Sequence, residues 1–264
     1  MKTTRFADRY QSVLVPVIFE PWANELIQRG EPRAGQHILD LACGTGVVTR
    51  LVAKQVPDTG RLVGADHSEE MLGVARVLAE EKGIDAEWVK ADAAELPFYD
   101  ECFDLAFCQQ ALQFFPDRLA ALRELRRVMK PGGRVVFCIQ QELDINPMLR
   151  AQAAALDAHV GKKAGDAVRA ICSLPDGAVI RTLFEEAEFH EVQVESVALN
   201  LQHPNARAFA KGAMGGMHTG DKLTGLAEGA VDRAVEAFLK GLGDCLQGKA
   251  MHFPHVSNVI MARG

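Results

Sequence analysis

His37-Ile38-Leu39-Asp40-Leu41-Ala42-Cys43-Gly44-Thr45-Gly46-Val47-Val48-Thr49-Arg50-Leu51 decides how the rest of the chain is read. Ile38 to Leu41 is a short apolar run. Ala42-Cys43-Gly44-Thr45-Gly46 then packs small residues and two glycines into five positions, and Val47, Val48, Leu51 and Val52 follow at helical spacing. That order is strand, tight turn, helix. A buried strand feeding a glycine-rich turn brings backbone N–H groups and a helix N-terminus close to a ligand, because glycine both permits the turn and removes the blocking side chain. Asp40, at the end of the strand, would repel a pyrophosphate and suits a cationic ligand.

The dinucleotide fingerprint G-x-G-x-x-G fails here, because aligning Gly44 and Gly46 with its first two glycines puts Thr49 at the third. Working outward, Arg61-Leu62-Val63-Gly64-Ala65-Asp66 reads as a second buried strand ending in an acid. A carboxylate at that spacing accepts hydrogen bonds from a ribose diol in more than one nucleoside-binding fold. Ser68 suits a helix N-cap, with Glu69 and Glu70 in the first turn. Ala86–Lys90 reads as a third strand, Phe103–Cys108 as a fourth and Arg134–Ile139 as a fifth. An amphipathic helix over Arg118–Met129 is closed by Lys130-Pro131-Gly132-Gly133. Alternating strand and helix over 34–143 predicts a doubly wound parallel sheet, whose ligands bind at the carboxyl ends of the strands. Asp40, Asp66, Asp92 and Cys108-Gln109 all fall at those ends.

These segments carry a resemblance. D-x-A-x-G-x-G at Asp40–Gly46 resembles motif I of the class I S-adenosylmethionine (SAM) dependent methyltransferases, where many members have Gly in place of Ala42. A-D-A-x-x-L-P-F at Ala91–Phe98 resembles their adenine-holding loop. Phe103–Cys108 with Gln109-Gln110-Ala111 resembles motif IV, without the D/N-P-P-Y/F of some amino-methylating families. L-x-x-V-M-K-P-G-G-R-V-V-F at Leu125–Phe137 completes the set. The chain is most similar to the UbiE/Coq5-like (methyltransferase type 11) small-molecule group. This implies a Rossmann-like, mostly parallel seven-stranded sheet with an antiparallel last strand and helical cap insertions.

It also implies cofactor contacts from Asp40, Ala42, Cys43, Gly44 and Gly46 at the turn, and from Asp66 at the ribose. His67 and Met71 would lie beside the cofactor, Asp92 and Ala93 at adenine, and Cys108 and Gln109 near the transferable methyl. Local readings stand beside these: Asp92 also fits an Asx-turn, Met71 a core position, and Gln110 and Gln113 a solvated loop. Tyr10 and Trp22, in N-terminal helices, either line a substrate pocket or pack on the core.

The 264 residues allow one large α/β domain with a cap, and 48% apolar content suffices for a substantial core. A net charge of −6 disfavours nucleic acid as substrate. Six scattered cysteines show no C-x-x-C or zinc spacing, as expected of reduced thiols in a cytoplasmic protein. Val13–Phe19 is too short for a membrane span. Residues 5–30 read as one or two helices broken by Pro16 and Pro21. Asn146–Cys172 and Asp176–Glu188 read as helical, His190–Leu201 as a half-exposed strand, Pro204–Gln247 as a second helical insertion and Val256–Ala262 as the last strand. The whole is one domain, 1–264. It has a SAM-binding core at about 34–143 and cap or substrate insertions at about 1–30, 144–175 and 202–250.

Methyl transfer from a sulfonium needs no metal; it needs proximity, alignment and exclusion of water. An O-, N- or carbon acceptor also calls for a proton sink. His218 and His203 in the second insertion are candidate bases, and Gln109 a candidate polar group at the reacting centre. For each histidine an ordinary structural role stands as the alternative. The reading is a SAM-dependent methyltransferase, with S-adenosylhomocysteine (SAH) as product. Its acceptor is expected to be small and apolar or aromatic, with O- or C-methylation favoured, in a monomer or homodimer. The alternatives are a SAM- or SAH-binding protein without transfer and an NAD(P) oxidoreductase. The failed fingerprint and the lack of a Tyr-x-x-x-Lys pair count against the oxidoreductase.

Overall fold

The computed structural model describes residues 6–216 and 229–264. Its eight-stranded sheet runs β3-β2-β1-β4-β5-β8-β6, with a two-residue β7 paired to β8. The strands are β1 (His37–Leu41), β2 (Arg61–Asp66), β3 (Glu87–Lys90), β4 (Phe103–Gln109), β5 (Met129–Gln140), β6 (His190–His203), β7 (Leu246–Gln247) and β8 (Ala250–Arg263). β7 is the addition to the seven strands expected. The helices are α1 (Phe6–Arg9), α2 (Glu20–Gly30), α3 (Val47–Gln55), α4 (Glu69–Glu80), α5 (Arg118–Val128), α6 (Pro147–His159), α7 (Lys162–Arg169), α8 (Gly177–Glu186), α9 (Ala206–Gly216) and α10 (Ala230–Gly241).

The chain divides into two compact units: Trp22–Ile139 with Asp176–Val197 and Asn258–Gly264, and Met1–Pro21 with Gln140–Pro175 and Ala198–Ser257. In the first, β3, β2, β1, β4 and β5 pair in parallel, with Asp40 opposite Gly64 on one side and Phe107 on the other. β1 and β4 are almost continuously buried, the pattern of strands covered on both faces. Helix starts follow local chemistry: Ser68, Asp117 and Asp176 accept from Met71, Ala120 and Ala178 N–H at 3.4, 2.9 and 2.7 Å.

Lys130–Gly133 does not precede the fifth strand but bulges within it. β5 starts at Met129 opposite Phe103, and its register then jumps to pair Arg134 with Leu105. Gly132, at φ +74°, supplies the left-handed turn. Gly132 N–H donates to Gly264 O, and Gly264 N–H to Gly133 O, each at 2.8 Å. The start of β5 is thereby tied to the end of β8.

The second unit is mainly helical. α6 packs against α7 and α10, and α9 against α10 and the N-terminal helical run. The prolines expected to break that run do not: Tyr10–Phe19 is π-helical between α1 and α2, and Arg9 and Glu20 keep helical dihedrals. The wider turn accommodates Pro16, which has no N–H to give. No helix among the described residues is long and apolar enough to cross a membrane.

Candidate active site

The parallel strands bring Asp40, Asp66, Lys90 and Gln109 to one edge of the sheet, at their carboxyl ends. After β1 the backbone turns left-handed three times in five residues: Ala42 at φ +56°, Gly44 at +56° and Gly46 at +76°. The glycines adopt this freely, whereas Ala42 is strained by about 1 kcal/mol. That strain explains why a glycine suits position 42. At Gly46 space also forbids a side chain, since a Cβ would come within 2.3 Å of the Trp88 ring; one on Gly64 would come within 2.6 Å of the same ring. Trp88 therefore seats the loop, a role that a half-buried tryptophan on a short strand does not announce in sequence.

Two carboxylates organise this turn. Asp40 is buried, and its Oδ2 accepts from both the N–H (3.0 Å) and the hydroxyl (2.7 Å) of Thr49. The residue that spoils the dinucleotide fingerprint is thus the residue that orients the acid. Burial pushes the Asp40 carboxyl up to about 7 against the pull of those hydrogen bonds, and the nearby Asp66 charge adds to the rise. Asp66 Oδ2 accepts from Gly44 N–H and Oδ1 from Ser68 N–H, both at 2.8 Å. It clamps the glycine turn to the start of α4, and each oxygen retains a further lone pair. The buried Arg50 guanidinium donates to Thr45 O and fixes the turn from the helix side.

The other predicted residues fall as follows. His67 is 87% exposed, with Nδ1 3.4 Å from Asp66 Oδ1. Cys43 and Cys108 are buried thiols pushed well up by desolvation, so neither is poised as a nucleophile. Met71 and Ala93 are half-buried. Asp92 is exposed, and its Oδ1 accepts from Ala94 N–H at 2.9 Å, an Asx-turn. Gln109 and Gln113 are buried, and Gln110 is left-handed at φ +53°. Gln113 Nε2 lies 3.4 Å from Gln110 Oε1. Trp22 has no exposure and belongs to the core of this unit.

Tyr10 and His203 belong to the helical unit. The Tyr10 ring rests 4.6 Å from Phe19. His203 Nδ1 accepts from Asn205 N–H at 3.0 Å. The neutral ring then carries its proton on Nε2, which occupies it as a base. His218 lies outside the described residues.

Sequence reading missed a brace behind the 91–98 loop. Arg127 donates to Leu96 O (3.0 Å) and Phe98 O (2.9 Å), and Glu124 accepts from Leu96 N–H at 2.8 Å. Their i, i+3 spacing on α5 was the available signal.

The turn, the paired acids and the braced loop gather at the carboxyl ends of the parallel strands, and the ubiE/COQ5 methyltransferase family model matches residues 3–203. The chain belongs to the ubiE/COQ5 methyltransferase family. Like that family it is a SAM-dependent methyltransferase. It is 33% identical over 203 residues to a demethylmenaquinone methyltransferase of Staphylococcus aureus (strain MRSA252), covering 72% of this chain and 82% of that one. It is 36% identical over 174 residues to the ubiquinone/menaquinone biosynthesis C-methyltransferase UbiE of Enterobacter sp. (strain 638), covering 65% and 67%. In fold it is similar to a putative methyltransferase of Bacillus halodurans, with TM-score 0.60 and 20% identity over 91% of this chain and 97% of the other.

Proposed function

We propose that this ubiE/COQ5 family chain methylates a small, neutral, oxygen-bearing aromatic acceptor of quinol type, at carbon by preference and at oxygen as the second choice. The relatives' names support that acceptor class. The observation that carries the cofactor side is the Asp66 carboxylate, which closes the glycine turn while keeping lone pairs for a ribose diol. When bound, SAM supplies an electrophilic methyl on a sulfonium. Asp40 and Asp66 contribute negative potential toward that cation, Gly44 and Gly46 keep side chains out of its way, and Asp92 and Ala93 offer an acceptor and a backbone N–H for adenine. Tyr10, Gln110 and Gln113 are the candidates for the acceptor's binding groups, with the segments about 1–30, 144–175 and 202–250 as its insertions; Trp22, without exposure, serves the core instead. Gln109 orients the acceptor oxygen. A quinol is acidic enough to need little help in losing its proton, so the occupied Nδ1 of His203 does not count against the reaction.

Calorimetry with SAM, SAH and NADH in parallel, followed by mass spectrometry of 1,4-naphthoquinol incubated with SAM, tests this reading. Micromolar binding of SAM and SAH, none of NADH, and a product heavier by one methyl group are expected. Binding of SAM with no methylated product would overturn the acceptor class alone.

A further inference from the structure

The loop that carries Asp92 and Ala93 is held at its entry, its exit and its middle. At the entry Ala91 N–H donates to Asp66 O at 3.0 Å, which ties the loop to the end of β2. At the exit the Phe98 ring meets Phe103 edge-on at 5.1 Å, and the Arg61 guanidinium lies 5.5 Å from the Phe98 centroid. The middle is different. Leu96 is the one buried residue in 91–98, and both of its backbone groups are taken by side chains of α5. Glu124 Oε1 accepts from Leu96 N–H at 2.8 Å, and Arg127 Nη2 donates to Leu96 O at 3.0 Å.

These two side chains are also locked to each other. Arg127 Nε and Nη2 donate to Glu124 Oε2 and Oε1 at 2.9 and 2.6 Å, a forked contact. Arg127 Nη1 donates to Phe98 O at 2.9 Å and to Asp100 Oδ1 at 2.6 Å, so all five guanidinium N–H groups have acceptors. The Arg127 fork draws the Glu124 carboxyl below its usual range against the effect of burial, and the Leu96 N–H adds to the pull. An ion pair on a helix surface does little for stability by itself. Here the pair is aimed at one peptide unit of the loop. From Leu96 the constraint passes to Asp92 through a closed turn. Glu95 N–H donates to Asp92 O at 3.1 Å, Ala94 N–H donates to Asp92 Oδ1 at 2.9 Å, and Asp92 and Glu95 pair as an antiparallel bridge. An acceptor held in place this way incurs little ordering cost when a ligand arrives.

We infer that Glu124 and Arg127 are positioning residues for base recognition: by clamping Leu96 they aim Asp92 at the 6-amino group of adenine, and so set the preference for adenine over a base without that amine. The inference rests on the adenine contact proposed above for Asp92 and Ala93 and adds the residues that aim it. A brace that only held the fold together would, when weakened, lower affinity for every nucleoside alike. A clamp aimed at Asp92 affects only the ligand that has an amine to offer. S-inosylhomocysteine separates the two cases. A carbonyl oxygen replaces its 6-amino group and its N1 carries a proton, so it matches neither the Asp92 carboxylate nor the Ala93 N–H.

Calorimetry with SAH and with S-inosylhomocysteine on the wild type, Glu124→Ala, Asp92→Ala and the double variant tests this. The wild type is expected to bind SAH roughly tenfold or more tighter than S-inosylhomocysteine. Glu124→Ala should weaken SAH about tenfold and S-inosylhomocysteine less than about twofold, so that the preference collapses. In the Asp92→Ala background the Glu124 change should cost SAH less than about twofold, because the group it aims is already gone. Equal losses for the two ligands, or losses that multiply in the double variant, overturn the inference and leave Asp92 at adenine. A wild type that does not distinguish the ligands overturns the adenine contact itself and the inference with it. If Glu124→Ala does not fold, Glu124→Gln reads the same ratio, since glutamine keeps an acceptor for Leu96 N–H and loses only the charged fork to Arg127. Its preference for SAH should fall about threefold or more, and an unchanged preference overturns the inference.

Discussion

Asp40→Asn should make the protein more stable at pH 8 and reverse the pH dependence of its stability. The Asp40 carboxyl sits at about 7 in the folded chain against 3.8 when unperturbed, because it is buried. Between those values the native state holds a proton that the unfolded state has released, so stability falls as pH rises through the window. At about 1.4 kcal/mol per tenfold change, the folded protein at pH 8 carries roughly 4 kcal/mol against the charged form. Both Thr49 donors go to one oxygen, so an asparagine oxygen in that place keeps both contacts, weakened by about 1–2 kcal/mol through loss of charge. The net gain at pH 8 is about 2 kcal/mol, or roughly 4–8 °C in Tm. His255, buried and held down at about 3 by desolvation, acts in the opposite sense. It stays neutral while the unfolded chain protonates, so its contribution is lost as pH falls below 6.5. In the wild type the two slopes oppose each other between about pH 4 and 6.5. Removing the Asp40 slope should expose that of His255, and stability of the variant should rise with pH. Denaturant titrations of both proteins at pH 4.5, 6 and 8 measure this. Parallel stability curves, or a variant less stable at pH 8, would refute the buried-charge account.

Other outcomes follow from the same geometry. Asp66→Ala leaves Gly44 and Ser68 N–H without their acceptor, and should weaken SAM by about 2 kcal/mol or more in calorimetry; unchanged affinity would remove Asp66 from the ribose. Gly46→Ala combines a φ of +76° with a clash on Trp88 and should cost more than about 2 kcal/mol by chemical denaturation; a stability equal to the wild type would mean that the turn is not held as described. Arg127→Ala frees the Leu96 and Phe98 carbonyls and should lower SAM and SAH affinity about tenfold alike. A selective loss of one cofactor would contradict a role limited to bracing the loop.

The sheet was legible because its strands are buried on both faces. Ile38–Leu41, Leu62–Ala65 and Leu105–Cys108 are near-continuous apolar runs between turn residues, and such runs admit few other structures. The N-terminal prolines misled for a definite reason. Pro16 breaks an α-helical ladder, but here the chain runs π-helical through it, and no local pattern signals that choice. Lys130–Gly133 misled in the same way: glycines and a proline read as an end to structure, whereas here they form a bulge stitched to the last residue of the chain.

At the site, sequence revealed which groups are present but not how each is used. Asp40, Asp66 and Asp92 all stand at strand ends, and spacing alone cannot tell them apart. The structure separates them by what already occupies their oxygens. Asp40 has one oxygen committed to Thr49 and a proton held near neutrality. Asp66 has both committed to backbone N–H groups that shape the turn. Asp92 uses one oxygen in its own turn and is exposed. A bound cation lowers the pKa of a nearby carboxyl. Asp40, held at about 7, can therefore lose its proton when a cation arrives, and part of its buried-charge cost is relieved only then. On the proposed reading, the buried Asp40 is the acid whose charge an arriving cation would compensate, while Asp66 is engaged in shaping the loop.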